Sequence, residues 1–133
     1  MIFIDSNIPM YLVGSAHPNK DAAEQAIAAL IAKQEKLVSD AEVLQEILHR
    51  YAAIERPDAI QPAFDVLLGL ADEVFPIETR IVERAKTILL GKYGLSARDA
   101  VHLAVMEQHG IQRILSFDRG FDRYPAIRRI TGA

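Results

Sequence analysis

Asp99 and Asp118 bracket a helix-and-strand unit. Asp99 falls in the first turn of an apolar helix that Ser96 caps and Gly110 ends, and Asp118 lies just past the strand Ile114-Leu115. In an open parallel sheet ligands bind at the carboxyl ends of the strands, so an acid just beyond a strand is placed for chemistry. Asp5 repeats the pattern, because the short β-favouring run Ile2-Phe3-Ile4 ends at once in Asp5-Ser6-Asn7. Glu46 is the fourth acid. On a helical wheel Val43, Leu44, Ile47, Leu48, Tyr51 and Ile54 form a buried stripe; Glu46 lies at its margin and Glu42 farther round towards solvent. Four carboxylates on one rim are suited to a hard divalent cation, which prefers oxygen ligands.

Each acid also has a purely structural role open to it. Ser96-x-x-Asp99 has capping-box spacing, and Asp118-Arg119-Gly120 is ordinary turn chemistry. Asp5 or Ser6 can cap the short helix that Pro9 starts, and Glu46 can be a solvated glutamate. What favours one acidic site is that all four fall on the same rim once the elements are laid out.

Those elements read in order as follows. His17-Pro18-Asn19 is a loop, and Asp21 to Lys33 is an alanine-rich helix. Leu37-Val38 is a very short second strand, after which Ser39 caps a helix with Glu42 in the reciprocal position. Asp58 to Ala71 is a helix with Pro62 near its start, and Phe64, Val66, Leu67, Leu68 and Leu70 make it apolar enough to expect burial on two sides. Val74-Phe75-Pro76-Ile77 reads as a third strand whose proline favours an edge. Thr79 then caps a helix running through Tyr93 to Gly94, and a last strand spans Ile127 to Ile130. Strands alternating with single or paired helices imply right-handed crossovers and a mostly parallel sheet of about five short strands, hence an α/β fold.

With 133 residues, half of them hydrophobic, the chain fits a single domain, 1–133, and shows no repeat or linker. It has no cysteine, which removes disulfides and thiolate metal sites and agrees with a reducing compartment. Neither a signal peptide nor an apolar run of membrane-spanning length is visible, so a soluble, cytoplasmic protein is expected. The net charge of -3 argues against a generic nucleic-acid binder. Acids concentrated at a cation site would leave the remaining surface closer to neutral, with Lys92, Arg98, Arg113, Arg119, Arg123, Arg128 and Arg129 as a basic set near the carboxyl end.

Four blocks, taken together, resemble the PIN-domain family, and most closely the VapC toxins of toxin–antitoxin pairs. They are Ile2-Phe3-Ile4-Asp5-Ser6-Asn7, Val43-Leu44-Gln45-Glu46-Ile47-Leu48, Leu95 to Ala104 around Asp99, and Ile114 to Asp122 around Asp118. The resemblance implies a three-layer sandwich with helices flanking the sheet. It also implies a Mg²⁺- or Mn²⁺-dependent endoribonuclease whose partners are an RNA substrate, a small VapB-like antitoxin and a second copy in a homodimer. On this reading Asp5 and Asp99 hold the metal, Glu46 and Asp118 act directly or through water, and Ser6, Asn7 and Ser116 orient the carboxylates. His102, on the apolar helix, reads as a satisfied core or rim residue, and Asp122 as a charged turn residue. Two alternatives stand beside this: a PIN-like interaction module without catalysis, and an aspartate-based phosphohydrolase. The latter would want a second acid where Asn7 stands.

Overall fold

The computed structural model describes residues 1–131. Five strands, β1 (Ile2–Ile4), β2 (Leu37–Asp40), β3 (Glu73–Phe75), β4 (Arg113–Leu115) and β5 (Arg128–Ile130), form one fully parallel sheet in the order β3-β2-β1-β4-β5. All three residues of β1 are fully buried. A strand buried on both faces of its pleat is covered by helices on both sides, which makes the fold a three-layer α/β sandwich. The helices are α1 (Asn7–Val13), α2 (Pro18–Ala32), α3 (Ala41–Ala53), α4 (Ile60–Leu70), α5 (Thr79–Leu90) and α6 (Ala97–Gln108). From β1 the chain builds outward through β2 to β3, then crosses back to place β4 on the other side of β1. The strand order therefore reverses between β1 and β4, the position at which an open α/β sheet forms its ligand crevice. Asp5 and Ser116 immediately follow those two strands, and the Asp5 N–H donates to the Leu115 carbonyl at 3.1 Å.

Several local expectations shift. The helix after β2 is capped by Asp40, not Ser39: the Asp40 carboxylate accepts from the Val43 N–H at 2.9 Å, while the buried Ser39 hydroxyl donates to the Ile4 carbonyl. Strand pairing runs through Asp40, which faces Phe75 across the ladder, so the helix starts one residue later and Glu42 has no reciprocal cap to make. His17, expected in a loop, caps α2 by accepting from the Asn19 N–H, with Pro18 at the first helical position. Pro57–Ala59 form a 3-10 turn before α4, and only Ala63 and Leu67 of α4 are buried. The expected two-sided burial is not there, since Leu68 is 51% exposed. The stripe on α3 narrows in the same way to Val43, Ile47 and Tyr51, with Leu48 and Ile54 exposed. α5 ends at Leu90 and has Glu78, not Thr79, at its cap position. β3 stops at Phe75, leaving Pro76 outside the ladder, and it is an edge strand as expected.

Candidate active site

Asp5 is almost wholly buried, and three donors are aimed at its carboxylate. Oδ1 accepts from the Ser6 N–H at 2.8 Å; Oδ2 accepts from the Ser116 hydroxyl at 2.5 Å and from the Asn7 amide at 3.3 Å. Asn7 is itself fixed, donating to Ser116 Oγ at 3.1 Å and accepting from the Phe117 N–H at 3.4 Å, and Ser116 Oγ accepts from the Asp118 N–H at 3.0 Å. The segment after β1 and the segment after β4 are thus tied through one carboxylate. Neither Asp5 nor Ser6 caps α1, whose cap residue Ser6 is already helical and makes no side-chain cap bond. Burial pushes the Asp5 carboxyl above its usual range, with His102 and the Ser116 hydroxyl opposing and Glu46 adding to the rise.

The Ser6 hydroxyl instead donates to Glu46 Oε2 at 3.1 Å, so the second turn of α3 is drawn to the end of β1. The other Glu46 oxygen bonds His102 Nε2, and His102 Nδ1 bonds Asp40 Oδ2 at 2.8 Å. Burial alone would lower the His102 pKa, but the carboxylates of Asp40 and Glu46 outweigh it and hold the ring well above its ordinary value. Asp5, Glu46 and His102 each offer a ligand atom within 4.8 Å of the others. Glu42 stays outside this group and lies 3.8 Å from Arg98. Between the two glutamates a turn apart, it is Glu46 that the fold brings to Asp5.

Asp99 sits at the start of α6, where the Ser96 hydroxyl accepts from the Asp99 N–H at 3.1 Å. The reciprocal half of the capping box is missing, and the Asp99 carboxyl makes no hydrogen bond among the described residues. Its pKa is raised from 3.8 to about 7, chiefly by burial, then by the charges of Asp5 and Asp118, with His102 opposing and Glu46 adding. Asp118 is exposed and accepts from the Gly120 N–H at 2.8 Å, so it does serve the turn expected of it while its charge reaches Asp99. Asp122 is engaged by Arg129 through two hydrogen bonds of 2.9 and 3.0 Å, which hold its carboxyl below the usual range. Of the basic set near the carboxyl end, Arg113 is paired with Glu35, Arg129 with Asp122, and Arg123 is bonded to the Gly94 carbonyl.

Two members of this cluster are not apparent as site residues in the sequence. Asp40 is masked by the better-looking cap spacing of Ser39 and Glu42. His102 had one usable signal: it is three residues after Asp99, hence on the same face of α6. The donor set fits a hard divalent cation. Both ring nitrogens of His102 are occupied, so the remaining ligand atoms of the group are the carboxylate oxygens of Asp5 and Glu46. Asp99 lies outside that group but within reach of its charge, with a carboxyl that makes no hydrogen bond among the described residues.

Comparison with known proteins identifies relatives of the whole chain. The PIN domain family matches residues 2–127. Ribonuclease VapC13 of Mycobacterium tuberculosis is 58% identical over 130 residues, covering 98% of this chain and 99% of that protein. Ribonuclease VapC23 of the same organism is 36% identical, covering 89% and 93%. Among solved structures, that of Mycobacterium tuberculosis VapC20, a sarcin-ricin loop cleaving toxin, superposes with a TM-score of 0.76 at 23% identity, covering 92% of this chain and 93% of that one.

Proposed function

From the premise that this chain belongs to the PIN-domain family, we propose that it is a divalent-metal-dependent endoribonuclease and the toxin of a VapBC-type toxin–antitoxin pair. The observation that carries the reading is the Asp99 carboxyl, which makes no hydrogen bond among the described residues and is held within the field of Asp5, Asp118 and Glu46. Asp5 and Asp99 are assigned to hold Mg²⁺ or Mn²⁺, with Glu46 and Asp118 acting directly or through water. When bound, the ion supplies Lewis acidity to the phosphodiester and lowers the pKa of the attacking water. Ser6, Asn7 and Ser116 keep the Asp5 and Glu46 oxygens oriented, so little reorganisation is left for the reaction itself. Burial of Asp5 keeps bulk water from competing for it. Asn7 donates to Asp5 and carries no charge, which speaks against an aspartate-based phosphohydrolase.

Cleavage of RNA in Mg²⁺ or Mn²⁺ and its loss in EDTA is the test; cleavage that persists in EDTA overturns the reading. Within the same assay Glu46→Gln is expected to lower the rate on the order of 10–100-fold, and Glu42→Gln less than about threefold, because only Glu46 reaches Asp5.

A cytoplasmic homodimer that also binds a small VapB-like antitoxin completes the proposal. It is supported by the apolar side chains left in solvent on the helices, among them Leu48, Leu68, Val82 and Leu90, the last 70% exposed. Sedimentation is expected to give a dimer at micromolar concentration; a stable monomer there would count against it.

A further inference from the structure

His102 and Asp40 are not among the four acids assigned to the site, yet they form a fully buried polar connection within it. Both are fully buried. Asp40 is locked by the Val43 N–H, and its second oxygen fixes His102 Nδ1 at 2.8 Å. The ring lies against Phe3, centroids 5.3 Å apart. Its one remaining polar atom, Nε2, reaches Glu46. Glu46, by contrast, has three side-chain torsions and sits part-exposed at the rim of α3. Without an anchor it would sample many rotamers.

We propose that His102, backed by Asp40, is a positioning residue that fixes the Glu46 carboxylate beside Asp5. Ser6 holds one oxygen of Glu46 from the α1 side and His102 holds the other from α6, so three elements meet on a single carboxylate. This rests on the reading of Glu46 as a metal-site acid. The rival account is that His102 is a buried polar residue whose partners merely satisfy it, contributing stability alone.

Two substitutions separate the accounts, because the amide of glutamine falls near Nε2 and can still donate to Glu46, whereas that of asparagine falls near Nδ1 and serves only Asp40. Mn²⁺ binding is measured by calorimetry on the whole protein. His102→Gln is expected to bind within about threefold of the parent, and His102→Asn 10–100-fold more weakly, with kcat falling alongside and KM for RNA changing less than about twofold. In a Glu46→Gln background His102→Asn should add no further loss. Equal Mn²⁺ affinity in the Asn, Gln and parent proteins overturns the proposal, as does a full additional loss in the Glu46→Gln background. A parent that binds no Mn²⁺ overturns the nuclease reading, and this inference falls with it. Should a variant fail to fold, the ring ¹⁵N resonances of the parent decide: Mg²⁺ binding must shift the Nε2 signal of His102, and an Nε2 signal unmoved at saturating Mg²⁺ refutes the role.

Discussion

Asp5→Asn is expected to leave a folded protein whose metal-dependent RNA cleavage has fallen on the order of 10³-fold. Lewis-acid activation supplies several kcal/mol of transition-state stabilisation, and each 1.36 kcal/mol is tenfold in rate. The substitution removes charge while keeping shape. Because burial already holds the Asp5 carboxyl above its usual range, neutralising it relieves a cost of folding, and this offsets the donor–donor conflict that an amide creates with Ser116, Asn7 and the Ser6 N–H. Ser116→Ala keeps the Asp5 charge but removes the shortest of those bonds, together with the Oγ that accepts from Asn7 and from the Asp118 N–H, and is expected to cost on the order of 10–100-fold. Near-normal cleavage by a folded Asp5→Asn protein would remove Asp5 from the site, and a larger loss for Ser116→Ala than for Asp5→Asn would move the chemistry to the serine. Circular-dichroism melts run beside the cleavage assays keep folding and catalysis apart.

What the sequence could reveal was governed by how local the signal was. Ile2-Phe3-Ile4 is apolar at every position, so a strand buried on both faces and an acid at its exit follow from adjacent residues. Gly110, with φ of 67°, ends its helix as a left-handed residue must. The errors lie where two local rules compete or where burial depends on a distant partner. Ser39 and Asp40 are both good caps, and the choice is made by the pairing of Asp40 with Phe75 on a neighbouring strand. α4 is apolar enough to suggest burial on two sides, but Leu68 faces solvent because none of the described residues covers it. His102 looked like a core histidine and is one by burial. Its bonds to Asp40 and Glu46 join residues 62 and 56 positions apart, and no helical period encodes such a contact.

Asp99→Asn should be inactive and yet melt higher than the parent in EDTA. A carboxyl whose pKa rises from 3.8 to about 7 on folding binds its proton more tightly in the folded state. Its contribution to stability therefore declines as pH rises between those values and stays at its lowest above about pH 7. At 1.36 kcal/mol for each tenfold change, the full penalty is at most about 4 kcal/mol. Asp99 is only partly buried, and solvent screening brings this to about 2 kcal/mol, or roughly 8 °C in a chain of this size. Asparagine cannot carry the charge, so the gain should be largest near about pH 8 and vanish below about pH 4. Added Mg²⁺ relieves the same repulsion, and at ~100 times its dissociation constant stabilises the parent by about 2.7 kcal/mol; the variant should gain less. A capping role for Asp99 predicts the opposite slope. A carboxylate that stabilises a helix start is worth up to ~1 kcal/mol when ionised, so its loss would lower the melting temperature most at high pH and leave the metal response unchanged. Melts of both proteins across pH, with EDTA and with Mg²⁺, thus separate the two roles by sign. A variant that melts lower at about pH 8 and keeps the full metal shift would return Asp99 to the role of a cap.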